Sequence, residues 1–413
     1  MTALTTAAAL SDELTDSRFA LRDVLDEGSV GARMRQEALQ LWPSFASFLV
    51  QCLRAASALS SADVAAEIVV KVCSAASAWV ELEVGAGDFC ETQLLQALCG
   101  AMTAITPTTS SDTSGSDASG TIAGDDGART VIKAALTVPL ARVVTCAAEV
   151  LTRLARSGNG ATHARRHEAT QLMASALTAS APVYAVLVTS AHCEMDEGTR
   201  RWLVAISDAA CAVACFDIRL VATSPLPCYQ ALLRQLCLGL QCAHAGCVAV
   251  CEDALELIDA LQQVESSMRS APLNNPAFWA DRLDALLAAV PLIEERNFHS
   301  DLDDESERRA VWAELARFRA FVQDAARGLF DELRHEFFGI ATRRLTQQLQ
   351  QQSESDLDAA LEATLLCWNA VATDCSQTLA RNAAARQQLR CHFDVVAQAV
   401  ARSKTLALAM STV

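Results

Sequence analysis

The sequence predicts an all-α fold, an α-solenoid of stacked antiparallel helix pairs wound into a superhelix, and three observations carry that expectation. Apolar residues recur at 3.6-residue spacing in segment after segment. Hydrophobic residues make up 52% of the chain and aromatics only 5%, so Ala, Leu and Val carry most of the apolar content. Ala and Leu have high helix propensity, whereas a sandwich or barrel wants the β-branched and aromatic residues that fit a pleated surface. Helix starts near 62, 88, 131, 165, 198, 226, 246, 276, 306, 355 and 384 give about six pairs.

The elements follow in order. Val64, Ile68, Val72, Ala75 and Trp79 share one face of a helix over roughly 62 to 84, and Leu94, Leu95, Leu98 and Met102 mark the next. Residues 106–129, rich in Thr, Ser, Asp and Gly, hold too few apolar groups to offset the entropy of ordering them, so a disordered insertion is expected there. Leu233, Leu236 and Leu240 form one stripe and Val248, Cys251, Leu255, Ile258 and Leu261 another. The short AHAG turn at 243–246 between them requires antiparallel helices. Leu315, Phe318, Val322, Leu329, Leu333 and Phe337 predict one long helix over about 306 to 350, followed by Leu357, Leu361, Leu365 and Trp368 on the next.

Pairs of roughly 40 to 60 residues lie near the length of a HEAT or armadillo unit with variable loops. Residues 1–413 therefore read as a single HEAT-like array interrupted by the insertion. A compact helical bundle is the alternative, because the repeats are too divergent to align with one another.

The net charge of −16 argues against nucleic acid as the main partner, since phosphate binding needs a basic surface. It suits a basic protein, and it is also a common device for solubility. The opening MTALTTAAALSDELTD lacks the basic region and apolar core of a signal peptide, so export is not expected. The most apolar stretches are broken by Arg142 and Glu149, and by Asp208, Asp217 and Arg219, so membrane insertion is not expected. The 16 cysteines are expected to stay reduced. Cys73, Cys146, Cys211 and Cys251 sit among Ala, Val and Leu, where a thiol behaves as a small hydrophobe.

A second charged stretch, SDLDDESERR at 300–309, precedes the long helix. Ser300 or Asp301 suits the cap, and acids in the first turn complement the helix dipole. The functional reading makes Asp301, Asp303, Asp304, Glu305 and Glu307 an acidic surface for a basic partner.

The densest set of potential ligands is Cys237, Cys242, His244, Cys247 and Cys251. Zinc wants four such groups converging in a tetrahedron. No C-x2-C pair is present, and core cysteines account for the cluster better; the same holds for Cys211 and Cys215. His335 lies among carboxylates in DELRHEFF, as charged helix surfaces often arrange by chance. No nucleophile elbow, phosphate-cradling glycine loop or HExxH is present, so no catalytic residue, metal or cofactor is expected.

Several details resemble one family. VCSAASAWVELEVGAGDF at 72–89 is similar to the helix, tryptophan and short turn that recur in the importin-β superfamily of nuclear transport receptors, with Trp79 and Leu82 at matching positions. LLRQLCLGLQCAHAGCVAVCEDALELIDAL at 232–261 resembles a HEAT repeat of the transportin-SR and importin-thirteen branch. An acidic linker then leads into FRAFVQDAARGLFDEL at 318–333, which resembles that branch's F-R-x-x-V-x-D pattern at Phe318, Arg319, Val322 and Asp324. DAALEATLLCWNAVATD at 358–374 is similar to the helix where Glu362 and Ala363 begin a hydrophobic run.

The resemblance covers roughly 45 to 400 and looks like the middle of such a receptor. It implies a HEAT solenoid that wraps a basic protein cargo, partners including the GTPase Ran and nucleoporins, and shuttling between cytoplasm and nucleus. The family's amino-terminal Ran-binding repeats and its arginine-rich helix have no counterpart here, and the 106–129 insertion is foreign to its pattern. A helical-repeat assembly scaffold without Ran dependence is the second reading, and an enzyme the third.

Overall fold

The computed structural model describes residues 30–81, 84–105, 137–157, 163–189, 195–242, 247–298, 305–351, 354–379 and 383–403. Every regular element among them is helical, and no strand occurs among the described residues. The expected insertion at 106–129 lies outside them. The contacts divide the chain into two units, one holding residues up to Val221 with Pro225–Gln235, the other Ala222–Ser224 and residues from Leu236 on.

The first unit opens with α1 (Val30–Ser57) and α2 (Ala62–Glu81), then the short α3 (Ala86–Glu91) and α4 (Leu94–Ile105). There follow α5 (Val138–Ser157), α6 (His163–Thr178), α7 (Ala181–Thr189), α8 (Glu197–Phe216) and α9 (Ile218–Thr223). Local chemistry sets these boundaries. Asp196 caps α8, its carboxylate accepting from the Thr199 N–H at 2.7 Å, and that bond holds the carboxyl below its ordinary pKa. The Gly85 N–H donates to Asp88 at 3.0 Å and closes the first turn of α3. Between α6 and α7 the Ser180 hydroxyl donates to the Leu177 carbonyl at 2.6 Å, which satisfies a helix-end acceptor inside the core.

Packing runs in two rows. Helices α2, α5 and α8 pack side by side, α4 packs on α6 in the second row, and α4–α5 and α6–α8 contacts join the rows. Alanines make the first row possible: Ala75, Ala76, Ala147, Ala148, Ala209 and Ala210 are all buried. Side chains that small let helix backbones approach closely. At the α1 end Trp42, Phe45, Trp79 and Phe89 stack at centroid distances of 4.8–5.4 Å. Val64, expected on the buried face of α2, is instead exposed, and the core takes Ala66, Val69, Val72, Cys73, Ala76 and Val80. Flanked by both α1 and α5, this helix buries more than the single stripe that periodicity selects.

Helix α10 (Pro227–Leu238) runs from one unit into the other. The second unit continues through a 3₁₀ turn at Gly239–Gln241, α11 (Val248–Gln262), α12 (Pro276–Phe298), α13 (Glu305–Leu333), α14 (His335–Gln351), α15 (Glu354–Leu379) and α16 (Ala383–Arg402). Proline opens α10 and α12, where its fixed φ is preorganised and the missing N–H would be unpaired in any case. Here the rows alternate strictly. Helices α11, α13 and α15 pack in one, α12, α14 and α16 in the other, and successive helices close the layers on one another. Within each unit, then, the fold is that of an α-solenoid: helix pairs stacked so that each layer touches the next layer of the same kind.

The single helix expected over 306–350 is two. Arg334 takes φ 49°, a left-handed conformation that ends α13, and the chain turns before α14. The Arg334 N–H still reaches the Phe330 carbonyl at 2.7 Å, so the helix is properly closed.

Between α11 and α12 the connection is held by one side chain. Arg269 is buried; its Nε donates to the Val264 carbonyl at 2.9 Å, and its terminal nitrogens to the Gln262 carbonyl at 3.2 Å and to Glu332 of α13 at 2.6 Å. Its guanidinium lies 5.3 Å from the Trp279 ring, whose N–H donates to the Leu273 carbonyl at 2.8 Å. Among the described residues no single helix is long and apolar enough to cross a membrane. Helices α6 and α7 pass that test only together, bent by 53°, and bury Met173, Leu177, Tyr184 and Leu187 in the first unit's core.

Candidate protein-binding site

Of the five acids expected to meet a partner, Asp301, Asp303 and Asp304 lie outside the described residues. Glu305 is the first residue of α13, exposed, and forms an ion pair one turn along with Arg309 at 2.6 Å. Glu307 lies on the same first turns, with a side chain outside the description. A carboxylate at a helix start complements the dipole, and an exposed i,i+4 pair contributes only a few tenths of a kcal/mol. Two turns further on, Trp312 is 65% exposed, a large apolar ring on an otherwise polar stretch.

The residues that carry the family resemblance are packing residues. Trp79 belongs to the aromatic cluster of the first unit. Phe318 and Val322 of α13 are wholly buried, Arg319 reaches across to Glu362 of α15, and Asp324 pairs with Arg327 within α13. Ala363 is buried; Leu82 lies outside the described residues. The pattern F-R-x-x-V-x-D thus spells a helix that buries two apolar residues and ties its exposed edge to the next helix in its row.

The candidate zinc cluster does not assemble in the described residues. Cys237, Cys242, Cys247 and Cys251 are buried, and no three of their sulfurs converge as ligands; His244 lies outside the description. Cys237 instead meets the Arg282 guanidinium, which pulls its pKa down against the larger upward push of burial. Burial raises Cys99 to about 12 and Cys367 to about 12, and lifts Cys73 and Cys251 further, so these thiols stay protonated at neutral pH and are poor nucleophiles.

Two described histidines have polar partners: His167 Nε2 lies 3.4 Å from an Asp217 carboxylate oxygen, and His392 is held by Thr342. Thr342 already donates to the Phe338 carbonyl at 2.8 Å, so its oxygen accepts from His392 Nδ1 at 2.9 Å, which leaves Nε2 as the bare nitrogen. Nε2 is buried without a hydrogen-bond partner, and desolvation lowers the ring's pKa.

A groove of about 380 Å³ lies between the end of α1 and α4. Leu53, Ala97 and Ala101 line its apolar part, Gln93 and Gln96 its polar wall, and Arg54 stands at the rim with no ion pair among the described residues. Gln93, at φ 60°, turns the chain from α3 into α4 and so sets that wall. Such a groove suits one apolar side chain with a polar or anionic tip. Sequence reasoning missed it because its walls lie some forty positions apart and neither carries a motif.

No family model matches the chain, and no curated protein matches it. Among solved structures it is similar to a circular tandem repeat protein described as having a novel repeat topology and enhanced subunit contact surfaces. That match has 13% identity, covers 97% of this chain and 98% of the other, and has a TM-score of 0.26, a likeness too slight to inform function.

Proposed function

We propose that this chain is a protein-binding scaffold and, within that class, a nuclear transport receptor of the importin-β type or a section of one, carrying a basic cargo for import. The observation that supports the scaffold reading is the two-row stacking of helices within each unit, which spends apolar residues between layers and leaves long outer faces of polar and charged side chains. Surfaces of that kind bind by area. The finer reading draws its support from the resemblance at Trp79, Phe318, Arg319, Val322 and Asp324 and from the acidic start of α13. One observation favours the broader alternative, an assembly scaffold without Ran: Arg319 and Glu362 pair with each other, so those motif positions speak for architecture more than for transport.

A pull-down titration separates the two. Immobilised full chain is offered a Lys/Arg-rich protein across a salt series, with and without Ran loaded with GTP. A receptor retains the basic protein, loses it as salt rises and releases it to Ran. Replacing Asp301, Asp303, Asp304, Glu305 and Glu307 by Lys is expected to weaken capture and flatten the salt dependence. Capture that ignores Ran leaves the assembly scaffold; unchanged affinity in the Lys variant removes the acidic segment from the interface.

A further inference from the structure

Aromatic rings in the second unit form a chain that crosses four consecutive helices. Phe330 of α13 meets Phe337 and Phe338 of α14 at 5.7 and 5.8 Å, Phe338 meets Trp368 of α15 at 5.2 Å, and Trp368 meets Phe393 of α16 at 5.2 Å. Each pair is edge-to-face, the arrangement that aromatic quadrupoles favour. Helix α16 packs on both α14 and α15, and two consecutive residues divide that work. Phe393 reaches the Trp368 ring of α15, while His392 lies against α14. There its Nδ1 is 2.9 Å from the Thr342 hydroxyl, and its Cε1 comes within 3.9 Å of where a Cβ on Gly339 would stand.

We propose that this contact is a pH-sensitive latch: neutral His392 fastens α16 to α14, and protonated His392 loosens α16 while the helices before it stay packed. The neutral ring is satisfied as it stands. Thr342 gives its own hydrogen to the Phe338 carbonyl, so Nδ1 carries the ring's proton and Nε2 is a bare, buried nitrogen with no hydrogen-bond partner among the described residues. A second proton has to go on Nε2. That makes a buried cationic donor with nothing to accept from it, whereas a ring released into water carries the same proton freely. Burial alone accordingly holds the ring's pKa below its ordinary value of 6.5, with no neighbouring charge contributing. On α14, Glu336 and Arg343 are exposed and Arg344 lies 4.0 Å from Asp284 of α12. On α15, Asp358 sits in the second turn, Glu362 pairs with Arg319, and Cys367 stays protonated. On α16 itself Arg386, Arg390 and Asp394 are exposed and Arg402 binds the Leu349 carbonyl; Leu389 and Val396, one turn either side of His392, are buried. The acids Glu354, Asp356 and Asp374 of α15, and His335 one turn before Gly339, have side chains outside the described residues. Above about pH 6.5 the ring is neutral whether α16 is packed or free, and the latch is closed. As pH falls below that, the free helix takes up protons that the packed helix excludes, so the contact weakens until the packed ring titrates as well.

Hydrogen exchange of the full chain, followed by mass spectrometry on peptides of α16 and corrected for the intrinsic effect of pH on exchange, reads the opening of that helix. With an ordinary imidazole pKa of about 6.5 in the open helix, the opening equilibrium of α16 should rise several-fold between pH 7.5 and pH 5, with a ceiling of about thirtyfold. Peptides of α11 and α13 should change less. His392→Asn keeps a donor near the Nδ1 position and His392→Phe keeps the ring's volume; neither side chain can take a proton, and the rise should be lost in both. His335→Asn should leave it in place. A wild type whose α16 opening changes by less than about twofold overturns the proposal. So does a rise that survives in a folded His392 variant or disappears with His335→Asn, and so does an opening that α11 and α13 share equally, since the whole unit would then be coming apart.

Discussion

In the row α2–α5–α8 of the first unit, neighbouring helices meet through alanines, while from α13 to α16 in the second they meet through rings. Ala148 and Ala210 are wholly buried in the one; Phe318 and Phe337 are wholly buried in the other. The ion pairs divide in the same way. Those of the first row, Arg142–Glu67, Arg153–Glu81 and Arg156–Asp208, tie one helix to the next across open solvent. The second unit has pairs of that kind in Arg317–Glu252 and Arg319–Glu362, and it also has Arg269–Glu332, whose guanidinium is only 3% exposed. Two ways of building a layer follow. Alanine rows gain from close backbone approach with no single indispensable side chain, and aromatic rows concentrate their stability in a few large groups.

Substitutions should sort along that division. The largest effect is expected for Phe337→Ala, about 3–5 kcal/mol by denaturant unfolding, because it empties a filled site that touches both Phe330 and Phe338. Arg269→Met should cost about 3 kcal/mol, since Glu332 and two backbone carbonyls lose their donor together; a cost below about 1 would place this pair with the surface ones. Ala148→Leu tests the opposite failure. It cannot leave a cavity, and about 1–3 kcal/mol of overpacking is expected as α5 is forced from its neighbours. A neutral result would mean that this row has slack and that the contrast drawn above is wrong. Smallest of all, Arg153→Met should change stability by less than about 1 kcal/mol, and the difference should vanish near 1 M salt, where the screening length falls to about 3 Å.

The helical class and most helix starts were legible in the sequence because each depends on neighbours three or four positions away. Starts expected near 62, 198, 226, 246, 276, 306, 355 and 384 fall within two residues of α2, α8, α10, α11, α12, α13, α15 and α16. The division at Arg334 was not legible, for a physical reason. Leu333 and Phe337 are four apart, the spacing of one helical turn, so the apolar phase runs unbroken across a residue that reverses the backbone. Only a glycine or asparagine at 334 would have announced it. The ring chain from Phe330 to Phe393 was hidden for another reason. Each ring reads as the core residue of its own helix, and nothing in periodicity says which cores touch. The expected acidic site was legible only as charge, and the structure describes just its last two positions. The contact of His392 with Thr342 and the groove beside Arg54 left no signal, being made where distant segments meet.

The thiols buried in both units give the molecule an internal clock for its own opening. Cys73 and Cys99 lie in the first unit, Cys251 and Cys367 in the second, all held protonated by burial, while Cys391 stands exposed on α16. An alkylating reagent should mark Cys391 at once and each of the others only when its own layer comes apart. Neighbouring layers in a stack share most of their contacts, so the order in which those four positions acquire label would trace whether the chain opens from an end or all together.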